Sequence, residues 1–154
     1  MGSWLLTGLF AVWALAVAVY DVRQRRVPNF LLILLAVPAI LAAIFNHRGL
    51  LGAGIWESLA GLVVGAAPLL AGYVIRQVGA GDVKLSGLQG FVLGTGSVGK
   101  ALLISGIVLG LMSLLVWLRK NEQTPHLRLP AALALVVGFV ATVLVDHLTS
   151  GWGT

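Results

Sequence analysis

The sequence predicts an all-α, polytopic membrane protein with about six transmembrane helices, the fourth of them short. Three observations lead there. Of the 154 residues, 59% are apolar and only 10% are charged, whereas a soluble domain carries about 25% charged residues. The apolar residues also gather in six long runs, at 3–20, 30–46, 58–75, 83–96, 101–118 and 130–148. Finally, the basic residues between these runs favour alternate loops. The whole chain, 1–154, reads as a single integral-membrane domain, with no appended soluble domain and no internal repeat.

Five of the runs are long enough, or nearly so, to cross about 30 Å of hydrocarbon as helices. The first lacks a basic flank on its N-terminal side, so it reads as a retained helix and not as a cleaved signal. The fourth, with about 14 residues, reaches only about 21 Å. It is either a re-entrant stub or a short crossing recessed in protein. Loop charge separates the two. Arg23, Arg25 and Arg26 follow the first run, Arg76 and Lys84 flank the turn before the fourth, and Arg119, Lys120 and Arg128 follow the fifth. If the fourth run crosses, eight of the ten Lys and Arg residues share one face, and Arg48 and Lys100 remain on the other. The positive-inside rule then gives six crossings of the cell (inner) membrane, with both termini outside. The same rule accounts for the basic excess better than nucleic-acid binding does. Without cysteine, disulfides, thiolate chemistry and Cys-based zinc sites are excluded.

Only five acidic residues occur: Asp21, Glu57, Asp82, Glu122 and Asp146. Asp21 closes the first run and Asp82 opens the fourth, so six crossings bring both to the cytoplasmic boundary. Acids near hydrocarbon are costly and tend to be functional. Two neighbouring carboxylates do not both ionise easily, so one keeps a proton. The ionised one can then deprotonate a water that attacks a peptide carbonyl. The protonated one can donate to that carbonyl and afterwards to the leaving amine. Neither a metal nor a cofactor is needed.

Asp82 lies in Gly79-Ala80-Gly81-Asp82, where two glycines free the backbone and leave room for an approaching strand. Asp21 lies near a helix C-terminus, where the macrodipole disfavours negative charge. The plainer readings stay open: Asp82 as the N-cap of a helix starting at Val83, and Asp21 as an interfacial partner of Arg23 or Arg25.

These residues resemble a known family. Tyr20-Asp21-Val22-Arg23 followed by Val27-Pro28-Asn29 resembles the first aspartate region of the type IV prepilin peptidases. Gly79-Ala80-Gly81-Asp82-Val83-Lys84-Leu85 resembles their second, the GxGD motif with its lysine. Pro130, opening the last run, resembles their proline-led final helix. The two motifs lie about 60 residues apart, and the likeness spans nearly the whole chain. It implies an integral-membrane aspartyl endopeptidase with Asp21 and Asp82 as its catalytic pair. Gly79, Gly81, Lys84, Pro28 and Asn29 would support the site or bind substrate. The implied partner is the short basic leader of a prepilin-like protein, cut at the cytoplasmic membrane face, with membrane lipids around it.

The size is similar to the short members linked to tight-adherence pili or archaeal preflagellins. Longer members carry a segment with paired Cys-x-x-Cys motifs and also N-methylate the new terminus. Without that segment and without cysteine, the likeness gives no support for methyl transfer here. The presenilin signature is similar too, but those proteins are larger, and the Val-Pro-Asn turn and Lys84 favour the prepilin branch.

Other residues have plainer readings beside the functional ones. Lys84 either acts on Asp82 or the substrate backbone, or snorkels at the boundary. Arg23, Arg25 and Arg26 set topology or meet anionic head groups. Asp146-His147 with Ser105 suggests a hydrolytic triad, but neighbouring helical residues do not face each other. His47, His126 and His147 are scattered, against a metal site. Asn29 and Gln89 read as interhelical hydrogen bonders, Gly61 and Gly65 as close-packing positions. Trp4, Trp56, Trp117 and Trp152 read as interfacial anchors. Two other functions compete: a small proton-coupled transporter using the same acids as a relay, and a non-catalytic membrane partner using them as caps. A transporter would place its acids nearer the midplane, beside broken helices.

Overall fold

The computed structural model describes residues 2–24, 28–76, 78–118 and 131–150. They form five helices in chain order: α1 (Gly2–Gln24), α2 (Asn29–Asn46), α3 (Ile55–Val74), α4 (Ala80–Leu118) and α5 (Ala131–Ser150). No strand occurs among the described residues. Four helices are long and apolar enough to cross a membrane, and residues 8–21 of α1 make a shorter apolar helix. The chain is therefore a multi-pass, all-helical membrane protein. Glu122, His126, Pro130, Trp152 and the basic residues Arg25, Arg26, Arg119, Lys120 and Arg128 lie outside the described residues, as does the side chain of Trp4.

The helix ends follow local chemistry. Pro28 is extended (φ −70°, ψ 135°) and opens α2, since its fixed φ and missing N–H suit a helix start. His47 ends α2 in the left-handed conformation (φ 53°). The 48–54 turn is closed by a bridge between Arg48 and Gly54. Glu57 then caps α3 by accepting the Gly54 N–H at 3.1 Å.

The expected boundary between the fourth and fifth runs needs correction. In place of a loop at 97–100, the break is one residue, Gly94, at φ 72° and ψ 176° inside α4. A side-chain carbon built on Gly90 would lie 3.2 Å from Val98 Cγ2. Eight residues of continuous helix would separate those positions by about 12 Å. The chain therefore turns back at Gly94, and α4 consists of a short half at 80–93 and a longer half at 95–118. Only glycine suits the bend: its φ is positive, and a Cβ would stand 2.8 Å from Ala53 Cβ.

The short half packs on α3 through small residues. Gly61 backs onto the Gly90 carbonyl, and a Cβ at Gly65 would meet the Ser86 carbonyl at 2.5 Å. Ser86 Oγ in turn donates to the Gly65 carbonyl at 2.6 Å. This is close backbone packing of the kind that associates helices in lipid. On the far side, Gly138 of α5 backs onto Ala101 and Ser105 of the longer half.

α1 buries a single stripe, Phe10, Trp13, Ala14, Val17 and Asp21, at the three- and four-residue spacing of one helix face. Phe10 and Trp13 meet Phe139 of α5 edge-to-face, with ring centroids 5.7 and 6.1 Å away. Trp13 Nε1 also donates to the Leu31 carbonyl of α2 at 2.8 Å. Trp13→Phe keeps the ring contact and removes this link, so it should cost about 1 kcal/mol, read as a lower midpoint for unfolding in mixed micelles. Of the expected tryptophan anchors, Trp56 and Trp117 are largely exposed.

Candidate active site

Asp21 is the last member of the α1 stripe and only 5% exposed. Because α1 continues to Gln24, this carboxylate lies within the final turn and points inward, away from a flanking loop. It meets the first turn of α5. Leu133 N–H donates to Asp21 Oδ2 at 3.2 Å, and the Ala132 N–H is a second donor. A helix N-terminus suits an anion because its first N–H groups lack intrahelical partners. The adverse dipole of α1 expected from sequence is thus opposed by the favourable one of α5.

Asp82 differs from the expected cap. α4 begins at Ala80, three residues earlier than expected, so Asp82 occupies the third helical position. Its carboxylate turns back to accept the Gly79 N–H, and its own N–H donates to the Gly79 carbonyl at 3.1 Å. The half of α4 that carries it buries Leu85, Ser86, Gln89 and Val92. These continue the face of Asp82 at helical spacing, which turns that carboxylate toward the bundle interior.

The two carboxylates lie at the same end of the bundle. They are near enough for Asp82 to feel the charge of Asp21. The meeting point lies where α1 ends, α4 begins and α5 begins. An acid pair so placed can divide the work of general acid and general base on one bound water.

The other predicted positions are distributed around this point. Gly79 immediately precedes α4 and Gly81 lies in its first turn. Pro28 and Asn29 open α2. Lys84 is exposed and shares a groove with Asn29. It makes no ion pair with Asp82 among the described residues, where the salt bridge found is Lys100 to Asp146 at 2.8 Å. The triad suggested by Asp146, His147 and Ser105 is not assembled. Asp146 is held by Lys100 and Ser97, while Ser105 Oγ donates to the Ala101 carbonyl at 2.7 Å. Among the described residues, no three His, Asp or Glu side chains form a metal-ligand set.

Gln89 lies in the buried face of the short half of α4. It is 4% exposed, yet its Nε2 finds no acceptor among the described residues. A buried donor without a partner is destabilising. Gln89→Leu should therefore raise stability by about 1 kcal/mol, checked by the same micellar unfolding; a loss of stability would show that Nε2 is satisfied.

Sequence reasoning missed the contribution of α5. Its first N–H groups hold Asp21, but backbone donors leave no mark in a string of Leu and Ala.

The comparison with protein families decides the relationship. The profile of the type IV leader peptidase family matches residues 8–150, which include α1 from its described side chains onward and every other helix. The chain belongs to the type IV leader peptidase family. Comparisons with curated proteins and with solved structures give no match. As a type IV leader peptidase family member, the chain has a leader-peptidase-like function. Protease chemistry and prepilin-like substrates are the general attributes of the family.

Proposed function

We propose that this chain is an aspartyl endopeptidase that removes the short basic leader of prepilin-like proteins at the cytoplasmic face of the cell membrane. Asp21 and Asp82 form its catalytic pair. The observation that best supports the reading is that Asp21 lies within electrostatic reach of Asp82. The family match is independent support.

In the proposed reaction, one carboxylate is ionised and the other protonated. The ionised one takes a proton from a water lying between them as the water oxygen bonds to the scissile carbonyl carbon. The protonated one gives its proton to the carbonyl oxygen. As the tetrahedral intermediate collapses, the C–N bond breaks and the departing amine takes up a proton from the pair. Gly79 just before α4 and Gly81 in its first turn, both without side chains, leave room beside Asp82 for an extended substrate strand. Pro28 fixes the direction in which α2 leaves the site, and Asn29 begins it.

The topology proposed with this reading has six crossings, the two halves of α4 forming the fourth and fifth. The reversal at Gly94 supports it, since the two halves then run in opposite directions, and a short fourth crossing would account for a recessed Asp82. Arg23, Arg76 and Lys84 then lie with the dyad on the cytoplasmic side.

The test is direct. Purified chain in liposomes is mixed with a membrane protein carrying a short basic leader, and the products are identified by mass spectrometry. One cut at the leader boundary is expected. An intact substrate together with acid-driven proton uptake into the liposomes would instead identify a transporter.

A further inference from the structure

A groove of about 380 Å³ runs between the start of α2 and the short half of α4, lined by Asn29, Leu32, Ile33, Ala36, Lys84 and Leu88. Its lining is ordered. The amide of Asn29 and the ammonium of Lys84 stand at one end. One turn further along each helix come Leu32 and Ile33 on α2 and Leu88 on α4; Ala36 follows. The change from polar to apolar thus takes about 10 Å, the length of seven helical residues. The cation is free to act on a ligand, since Lys84 is exposed and unpaired among the described residues.

Such a site fits an amphiphile with an anionic head and an apolar tail. Size decides between the two amphiphiles that a bilayer offers. A helix about 10 Å across lying along the same seven residues would fill roughly 800 Å³. The groove holds less than half of that, so it would take at most one face of a transmembrane helix, whereas a single hydrocarbon chain fits within it. Charge then selects the head. The Lys84 ammonium attracts an anionic lipid head, and the Asn29 amide adds a neutral donor for a phosphate oxygen.

We infer that the α2–α4 groove is a binding site for one anionic phospholipid, with its phosphate at Lys84 and Asn29 and an acyl chain along Leu32, Ile33, Ala36 and Leu88. Lys84 and Asn29 are also among the positions that would support the catalytic site, but the lipid site does not depend on that reading. Lys84 is two residues from Asp82, so the lipid borders the carboxylate pair and forms part of the wall past which any substrate approaches.

The test uses the full chain in nanodiscs of phosphatidylcholine doped with a photoactivatable phosphatidylglycerol whose diazirine is on the acyl chain. A matched phosphatidylcholine probe is run in parallel, and labelled peptides are mapped by mass spectrometry. The expected label falls on residues 32–36 and 88, several-fold more from the anionic probe. Lys84→Gln should bring the two probes to parity in the groove, and Arg76→Gln should leave the preference intact. Ala36→Phe fills the groove while keeping the charge, and should remove the label from both probes. Equal labelling of the wild-type groove by the two probes would overturn the proposal. So would a preference that survives Lys84→Gln, or a groove labelled by a diazirine-bearing leader-peptide helix and not by lipid.

Discussion

Asp21→Asn and Asp82→Asn should each lower the rate of leader cleavage by about 10³-fold, within the range lost when a general acid or base is removed. The substitution isolates the chemistry. Asn retains an oxygen where Asp21 accepts the Leu133 N–H at 3.2 Å, so the contact between α1 and α5 persists. At position 82 the retained oxygen still receives the Gly79 N–H. What disappears is the ability to take up and release a proton. Both variants should insert and unfold much like the parent, with the loss falling on kcat far more than on KM. Alanine would be a poorer probe, since Asp21→Ala also removes the acceptor at the start of α5, a change worth about 1 kcal/mol at a helix cap. Cleavage assays on membranes carrying equal amounts of each variant check this. A double variant no slower than either single one would show that the pair acts as a unit.

The second large effect is on folding. Gly90→Val should sharply reduce the amount of folded protein recovered from membranes. A Cβ at Gly90 would collide with the Gly61 carbonyl and stand 3.2 Å from Val98 Cγ2. Overpacking a core costs about 1–3 kcal/mol when side chains can yield. Here the obstacle is backbone on α3, with the returning half of α4 on the other side, so the cost should exceed that range. Gly96 is the matched control. Nothing stands within 4 Å of a Cβ there, and Gly96→Ala should be neutral or stabilising by up to about 1 kcal/mol through helix propensity. Thermal unfolding of the two variants in one detergent compares them directly.

The sequence made much of this architecture legible. Composition and apolar runs identify a helical membrane protein, because a bilayer demands long apolar segments with internally satisfied backbones. The two aspartates stand out because acids are scarce in such a chain. What it hid has physical causes. The reversal at Gly94 carries no polar loop to advertise it, only one glycine among the many of residues 87–99. The buried stripe of α1 is invisible because lipid-facing and core-facing residues are equally apolar, so periodicity does not reveal that Asp21 follows Val17 inward. The start of α4 shifted from Val83 to Ala80 because Gly79 serves as the cap, and this changes Asp82 from a cap into a side chain reaching back to one. The docking of α5 on Asp21 is a tertiary contact across 112 residues, beyond any local pattern.

The central claim is that Asp21 and Asp82 together activate one water. Single-turnover cleavage in ¹⁸O-enriched water tests it most directly. The account predicts one ¹⁸O atom in the new carboxylate of the released leader from the first turnover, none on Asp21 or Asp82, and no burst of labelled product from the Asp21→Asn, Asp82→Asn double variant. Unlabelled leader in the first turnover with ¹⁸O later found on either aspartate, or labelled product formed by the double variant at the parent rate, would contradict it.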